Sequence, residues 1–233
     1  MMNYRYDGIS VETLMLMSEN AFRDSKDFYE RNKDKLKKGI TIPIRQVIEA
    51  LSDTITDIDP EIPIMPTRMV SRIRRDTRFS KNKHLYRENL WAMFMRDKHA
   101  LPYYPCMWFE VSPNCYSGGV GIYDAPPALM AIFRKHLVEN QSEFLKAAKS
   151  AESAGAVFHC ESYKKPKSNC PSEKAAPYFN AKSFYFIYSF PDVRQLAQPD
   201  FIEDIRGIYK KMKPMYGFLL KVSEDYAQTL LNK

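Results

Sequence analysis

Cysteine is scarce in this sequence, and the four present, Cys106, Cys115, Cys160 and Cys170, form no Cys-x-x-Cys pair. A disulfide framework and a thiolate-bound zinc are therefore unsupported, and reduced thiols are expected. The four histidines, His84, His99, His136 and His159, fall at no metal-ligand spacing, so no metal and no cofactor are expected. Only 8 glycines accompany 15 prolines, which excludes collagen-like and low-complexity chains. No apolar run approaches the roughly 18 residues of a spanning helix, and residues 1–7 lack the apolar core of a secretory signal. A cytoplasmic protein with no membrane association is the expectation. Gly-x-Ser-x-Gly is missing too, as is any nucleophilic cysteine motif, so hydrolases of those kinds find no support.

What is present is a core. Across 233 residues, 45% are apolar, 13% aromatic and 27% charged, the balance of a soluble globular chain able to bury a sizeable interior. The charge is unevenly placed. The sixteen residues 72–87 hold seven basic side chains, Arg72, Arg74, Arg75, Arg78, Lys81, Lys83 and Arg87, and one acid, Asp76. That segment carries +6 of the total +7, leaving +1 for the other 217 residues. A local positive field of this kind attracts phosphates and other anions and weakens with salt.

Helical signals open the chain. Ser10 can cap a helix running to Glu19, and Asp24 or Ser25 can start a second that Gly39 ends. Ile44, Val47, Ile48, Leu51, Ile55 and Ile58 recur at steps of three and four, predicting a third helix that stops before Pro60. The period then changes. Residues 69–75, 92–96, 106–111 and 115–122 are rich in aromatic and β-branched residues and read as strands, the last two joined as a hairpin through Pro113 and Asn114. Pro126 and Pro127 open a helix, another covers 141–151, and 157–160 and 184–190 are further strands flanking a polar, mobile loop over 163–177. Asp200 with Glu203 has the form of a capping box, and Pro214 divides the C-terminal stretch into two helices. The sum is one α+β domain over 1–233, with a mostly antiparallel central sheet of about five or six strands and helices before and after it.

The basic segment is the first candidate for function. With 69–75 as a strand, Arg72 and Arg74 share one face with Asp76, and Ile73 and Arg75 the other, while Arg78, Lys81 and Lys83 extend from a loop. Guanidinium forks suit two-point contact with carboxylate or phosphate. Phe79 and Tyr86 are either stacking surfaces or anchors that tie the loop to the core. The bland alternative is a solvated surface in which Asp76 pairs with one arginine.

The run Arg72-Ile-Arg-Arg-Asp-Thr-Arg-Phe-Ser-Lys-Asn-Lys, with Tyr86 and the later Gly118-Gly-Val-Gly-Ile-Tyr, resembles the signature stretches of a mostly bacterial family known as domain of unknown function 2461. Phe28-Tyr-Glu-Arg-Asn-Lys and Lys182-Ser-Phe are similar to two further stretches of that family, so the resemblance spans most of the chain. Asn82, Leu85 and Phe28 stand where the family usually has Asp, Pro and Trp. The resemblance implies a single cytoplasmic domain and brings no activity with it.

Gly118, Gly119 and Gly121 lie inside a strand-like run and not between a strand and a helix, which argues against a phosphate loop and for close approach of another segment, such as the basic loop. On strand 106–111, Glu110 shares a face with Cys106 and Trp108. The leading expectation is a protein that binds a small phosphorylated or otherwise acidic molecule through Arg72, Arg75, Arg78, Lys81, Lys83 and Tyr86. The alternative is an enzyme acting on such a molecule with Asp76 or Glu110 as acid or base. Nucleic-acid binding ranks third, because one compact +6 patch is small for that task. Oligomeric state is left open.

Overall fold

In the computed structural model, residues 4–97 and 103–231 are described, apart from the Phe184 side chain; His99 lies outside the described residues. The chain begins with helix α1 (Val11–Arg23), capped by the Ser10 hydroxyl, which accepts from the Thr13 amide at 3.2 Å. Helix α2 (Lys26–Leu36) is capped by Ser25. Gly39 does not end α2 as its identity suggests. The chain instead passes through a π turn (Lys37–Thr41) into α3 (Ile42–Ala50). Gly39 is there for proximity, since a Cβ would come within 2.5 Å of Thr13 Oγ1 on α1. The predicted third helix is broken at Leu51, where α4 (Ser52–Ile58) begins; the short α5 (Pro66–Met69) follows.

Five antiparallel strands form one sheet in the order β1-β2-β3-β5-β4: β1 (Leu90–Phe94), β2 (Cys106–Val111), β3 (Tyr116–Ile122), β4 (Val157–Ser162) and β5 (Ala181–Phe190). The β2–β3 hairpin turns through Ser112, whose hydroxyl donates to the Cys115 carbonyl. Residues 69–75 are not a full strand. They begin inside α5 and then run beside β1 and the segment before it, touching them through isolated bridges at Val70–Ala92 and Arg74–Tyr86. Helices α6 (Pro127–Glu139) and α7 (Gln141–Glu152) precede β4, and the one-turn α8 (Ala176–Phe179) precedes β5.

The C-terminus is one helix. α9 (Phe201–Leu231) continues through Pro214, although a helical proline loses a hydrogen bond and costs about 3 kcal/mol. Pro214 lies on the exposed side, while Met212, Met215, Tyr216, Phe218 and Leu219 on the other side are essentially fully buried. Each such side chain contributes about 1.5–3 kcal/mol, so packing outweighs the proline. The capping-box expectation also differs, because the Glu203 carboxylate receives Tyr4 and Arg206.

All of the helical mass that packs on the sheet lies on one face. The first half of α9 meets it through Phe201 against Phe109 and Tyr209 against Phe94, and the second half meets α6 and α7 through Phe218, Phe133 and Phe144. Among the described residues no helix is long and apolar enough to cross a membrane.

One polar cluster ties these layers. The Asp59 carboxylate, fully withdrawn from water at the end of α4, accepts Arg96 Nε at 2.7 Å and Nη2 at 3.0 Å, the Tyr216 hydroxyl at 2.6 Å and the Glu61 amide at 3.0 Å. Burial alone would raise this carboxyl, but the hydrogen bonds from Arg96, Tyr216 and the Glu61 amide outweigh it and hold the group below the ordinary aspartate range. Replacing Arg96 by alanine strands the buried carboxylate and should cost about 3–5 kcal/mol in urea unfolding. Because the folded pKa is depressed, the contribution of Asp59 is present above the ordinary aspartate pKa of about 4 and is lost as pH falls through the folded value. The stability gap between the parent and Asp59→Asn should therefore narrow on acidification below pH ~4, as read by thermal unfolding across a pH series.

Candidate functional site

Strand alternation and register build a site on the face that the helices leave open. Trp91 and Met93 of β1 stand opposite Glu110 and Trp108 of β2, and Trp108 in turn stands opposite Gly119 of β3, which faces Ile187 of β5. Cys106, Gly121 and Tyr185 form the next row. All of these but Gly119, with Asn89 and Tyr123 at the margins, line a cleft of about 500 Å³, a size that suits a small organic ligand.

Gly119 seats the Trp108 indole. A Cβ there would approach within 2.6 Å of the Trp108 indole and would collide with the Phe186 carbonyl. The indole therefore lies over bare backbone, with Tyr185 set edge-on at 5.7 Å between ring centroids and His159 stacked on Tyr185 at 5.3 Å. Gly118, on the opposite face, makes the same kind of room for Tyr188. The close approach expected at these glycines is thus real, but it comes from Trp108 and Tyr188 and not from the basic loop.

Within the cleft, Glu110 Oε1 accepts from Asn89 Nδ2 at 2.7 Å. Burial pushes the Cys106 thiol up to about 12, so it is protonated at neutral pH and poorly suited to nucleophilic attack. Among the described residues no three His, Cys, Asp or Glu side chains gather as a metal site.

The basic segment forms two extended arms joined by a loop. Ser71 donates to the Trp91 carbonyl, Arg87 to Ile73 and Arg75 to Leu85, which brackets a tip over 76–84. Asp24 anchors the returning arm. It is the left-handed C-cap of α1, and its Oδ1 accepts the Leu85 amide at 2.6 Å and the Tyr86 amide at 3.3 Å. The sequence offered Asp24 only as a helix start, and the long-range role had no local signal.

The candidate cations divide into two groups. At the tip, Arg78 forks onto Asp76 at 3.0 and 2.7 Å, and Lys83 donates to the Thr77 carbonyl at 3.0 Å. The Arg78 hydrogen bonds hold the Asp76 carboxyl at about 2, so it is ionised at neutral pH and is not a proton donor. Arg72, Arg74 and Lys81 are exposed, as is Phe79 at 93%. Tyr86 is buried to 3% and stacks on Tyr29 of α2 at 4.8 Å, so it anchors the arm. Asp76 and Glu110 are not brought together, since each carboxylate has its own partner and only Glu110 lines the cleft.

The second group lies at the base of the arms. The Arg87 guanidinium sits 4.5 Å from the ring centroid of Trp91, a cleft residue. Burial, and then the charge of Arg75, pull Arg87 below the usual guanidinium range. Neither arginine has a carboxylate partner among the described residues, and Arg87 Nε is buried without any hydrogen-bond partner. Arg87 was counted in the charge run but not singled out, and its stacking on Trp91 depends on the arm lying beside β1.

The family described as conserved hypothetical protein (DUF2461) matches residues 12–218. No curated protein matches the chain.

Gly119→Ala should force the Trp108 ring from its seat, lowering stability by about 1–3 kcal/mol and shifting tryptophan emission. Gly207→Ala, at an exposed α9 position where a Cβ meets nothing within 4 Å, is the control and should stabilise by about 0.5–1 kcal/mol. Equilibrium denaturation monitored by fluorescence distinguishes the two.

Proposed function

The chain belongs to the DUF2461 family, whose description specifies no activity, and we propose from its geometry that it binds a small acidic molecule carrying a flat ring, seated in the open-face cleft. The observation that carries this reading is the pair Arg75 and Arg87, set on facing arms by the Arg75 amide on Leu85 and the Arg87 amide on Ile73, with no carboxylate partner among the described residues and with Arg87 stacked on a cleft tryptophan. Like charges held close are unfavourable unless an anion joins them, and a guanidinium offers a fixed fork for phosphate or carboxylate. Trp91, Trp108 and Tyr185 supply flat apolar surface for the ring, where stacking contributes roughly 1–3 kcal/mol per aromatic contact. Of the expected set Arg72, Arg75, Arg78, Lys81, Lys83 and Tyr86, this reading keeps Arg75, because Arg78 and Lys83 are occupied within their own loop and Tyr86 anchors the arm. A binding role is favoured over catalysis because Asp76 is committed to Arg78 and does not meet Glu110, which is held by Asn89.

The protein reports on its own cleft. It has 2 tryptophans, and both line this site. Titration with nucleoside monophosphates and phenyl phosphate should quench their emission saturably, and Arg87→Gln should weaken binding about tenfold or more, the loss of one charged hydrogen-bonding contact. Flat emission across the whole series, or unchanged affinity in Arg87→Gln, sinks the reading.

Phe79 favours a second reading, nucleic-acid binding by the basic segment, since a ring 93% exposed, with the Arg78 guanidinium 5.7 Å from its centroid and Arg72, Arg74 and Lys81 exposed in the same segment, is placed to stack on an unpaired base. Three phosphate contacts predict a slope of about −2 in log affinity against log salt for a single strand. Phe79→Ala should reduce that affinity, and absence of retention at low salt removes this reading.

A further inference from the structure

Apart from the Tyr123 and Tyr185 hydroxyls and the Cys106 thiol, the polar groups of the open-face cleft gather at one edge, and that edge is chemically one-sided. Glu110 projects from β2 directly opposite Trp91, with its Oε1 held by Asn89. Because a carboxylate only accepts, the Asn89 amide must turn its NH₂ toward Glu110, which leaves Asn89 Oδ1 facing elsewhere as a second acceptor. Glu110 Oε2 has no hydrogen-bond partner among the described residues. The polar edge therefore offers two acceptor oxygens, one of them charged, beside a floor of indole and backbone.

We propose that Glu110 and Asn89 select a flat heterocycle that presents adjacent N–H donors along one edge, the donor pattern of a guanine or pterin ring, while Arg75 and Arg87 take its acidic group. The proposal rests on the cleft reading above and narrows it to a ligand class. A half-buried carboxylate gains when donors reach it, whereas a ring that turns acceptors toward it places lone pair against lone pair. Sites built to hydrogen-bond a ligand in this way reject analogues lacking the donor far more strongly than apolar pockets reject a missing methylene. The stacking floor is indifferent to which ring lies on it, so discrimination falls to the edge. Glu110 is on this reading a specificity residue.

The test is a set of tryptophan-quenching titrations on the intact chain with GMP, IMP, AMP and XMP, which share phosphate and ribose and differ in the ring edge. GMP, with ring N–H and exocyclic NH₂ adjacent, should bind at least tenfold tighter than AMP, with IMP intermediate and XMP, which turns a carbonyl toward Glu110, weakest. In Glu110→Gln the GMP preference should fall to within about twofold, with AMP affinity unchanged. Equal binding of GMP and AMP overturns the proposal and leaves the cleft reading standing. A preference that survives in Glu110→Gln overturns it as well, because another group is then the reader. If none of the four quenches, the cleft reading falls and the proposal with it. The nucleotide series on the unaltered chain gives the decision even where Glu110→Gln folds poorly.

Discussion

A buried carboxylate fixes the middle of α9, a helix otherwise held over the sheet by its apolar face. Asp59 joins the end of α4, the segment after β1 and the middle of α9 through Arg96 and Tyr216, and every partner it has is a directional donor. A buried ion pair is a weak source of net stability, since desolvation cancels much of the attraction. Its value here is positional. Seven residues before Tyr216 on the same helix, Tyr209 donates to the Trp108 carbonyl at 2.7 Å. Seven residues are nearly two turns, about 10 Å along one face, so fixing Tyr216 fixes where Tyr209 reaches β2. The backbone that carries Trp108 is thus held from behind by a helix whose own position is set at Asp59.

Holding the helices on one side leaves the other side bare, and the side chains there are of a kind that solvent disfavours. Trp91, Met93, Trp108, Tyr185 and Ile187 share the open face with two glycines spaced two apart on β3. Glycine in a strand interior weakens the strand. Gly119 is retained against that cost because the alternative is a collision with Trp108 and the Phe186 carbonyl. A flat indole over backbone, ringed by other aromatics, leaves flat apolar surface facing outward.

Much of the architecture was legible in the residues because it is written in local periods. The Ser10 cap, the stripe of α3 and α4, the β2–β3 hairpin and the strand around Phe184 all follow from spacing and turn chemistry. The misreadings share a cause. Gly39 and Pro214 carry strong local stop signals, yet tertiary contacts overrode both: Gly39 seats Thr13, and Pro214 rides the outside of a helix anchored by buried neighbours. The site was half visible. Alternation put Cys106, Trp108 and Glu110 on one face, but whether helices would cover that face, and that Trp91, Asn89 and Tyr185 would meet there, depends on strand order. Gly119 and Gly121, two apart and hence on one face, were the available hint of an uncovered floor.

The basic segment shows why a count of charges is a poor guide to which of them is left uncompensated. At the tip, Asp76 and the Thr77 carbonyl absorb Arg78 and Lys83 and water solvates most of the rest. Exposed pairs of that kind contribute little and hold nothing in place. At the base, two arginines are partly withdrawn from water, close enough for one to depress the other, and short of an acid. The uncompensated positive charge therefore lies at the base of the arms. It falls beside Trp91, a residue shared by the arms and the cleft, because the returning arm, pinned by Asp24, leads directly into β1.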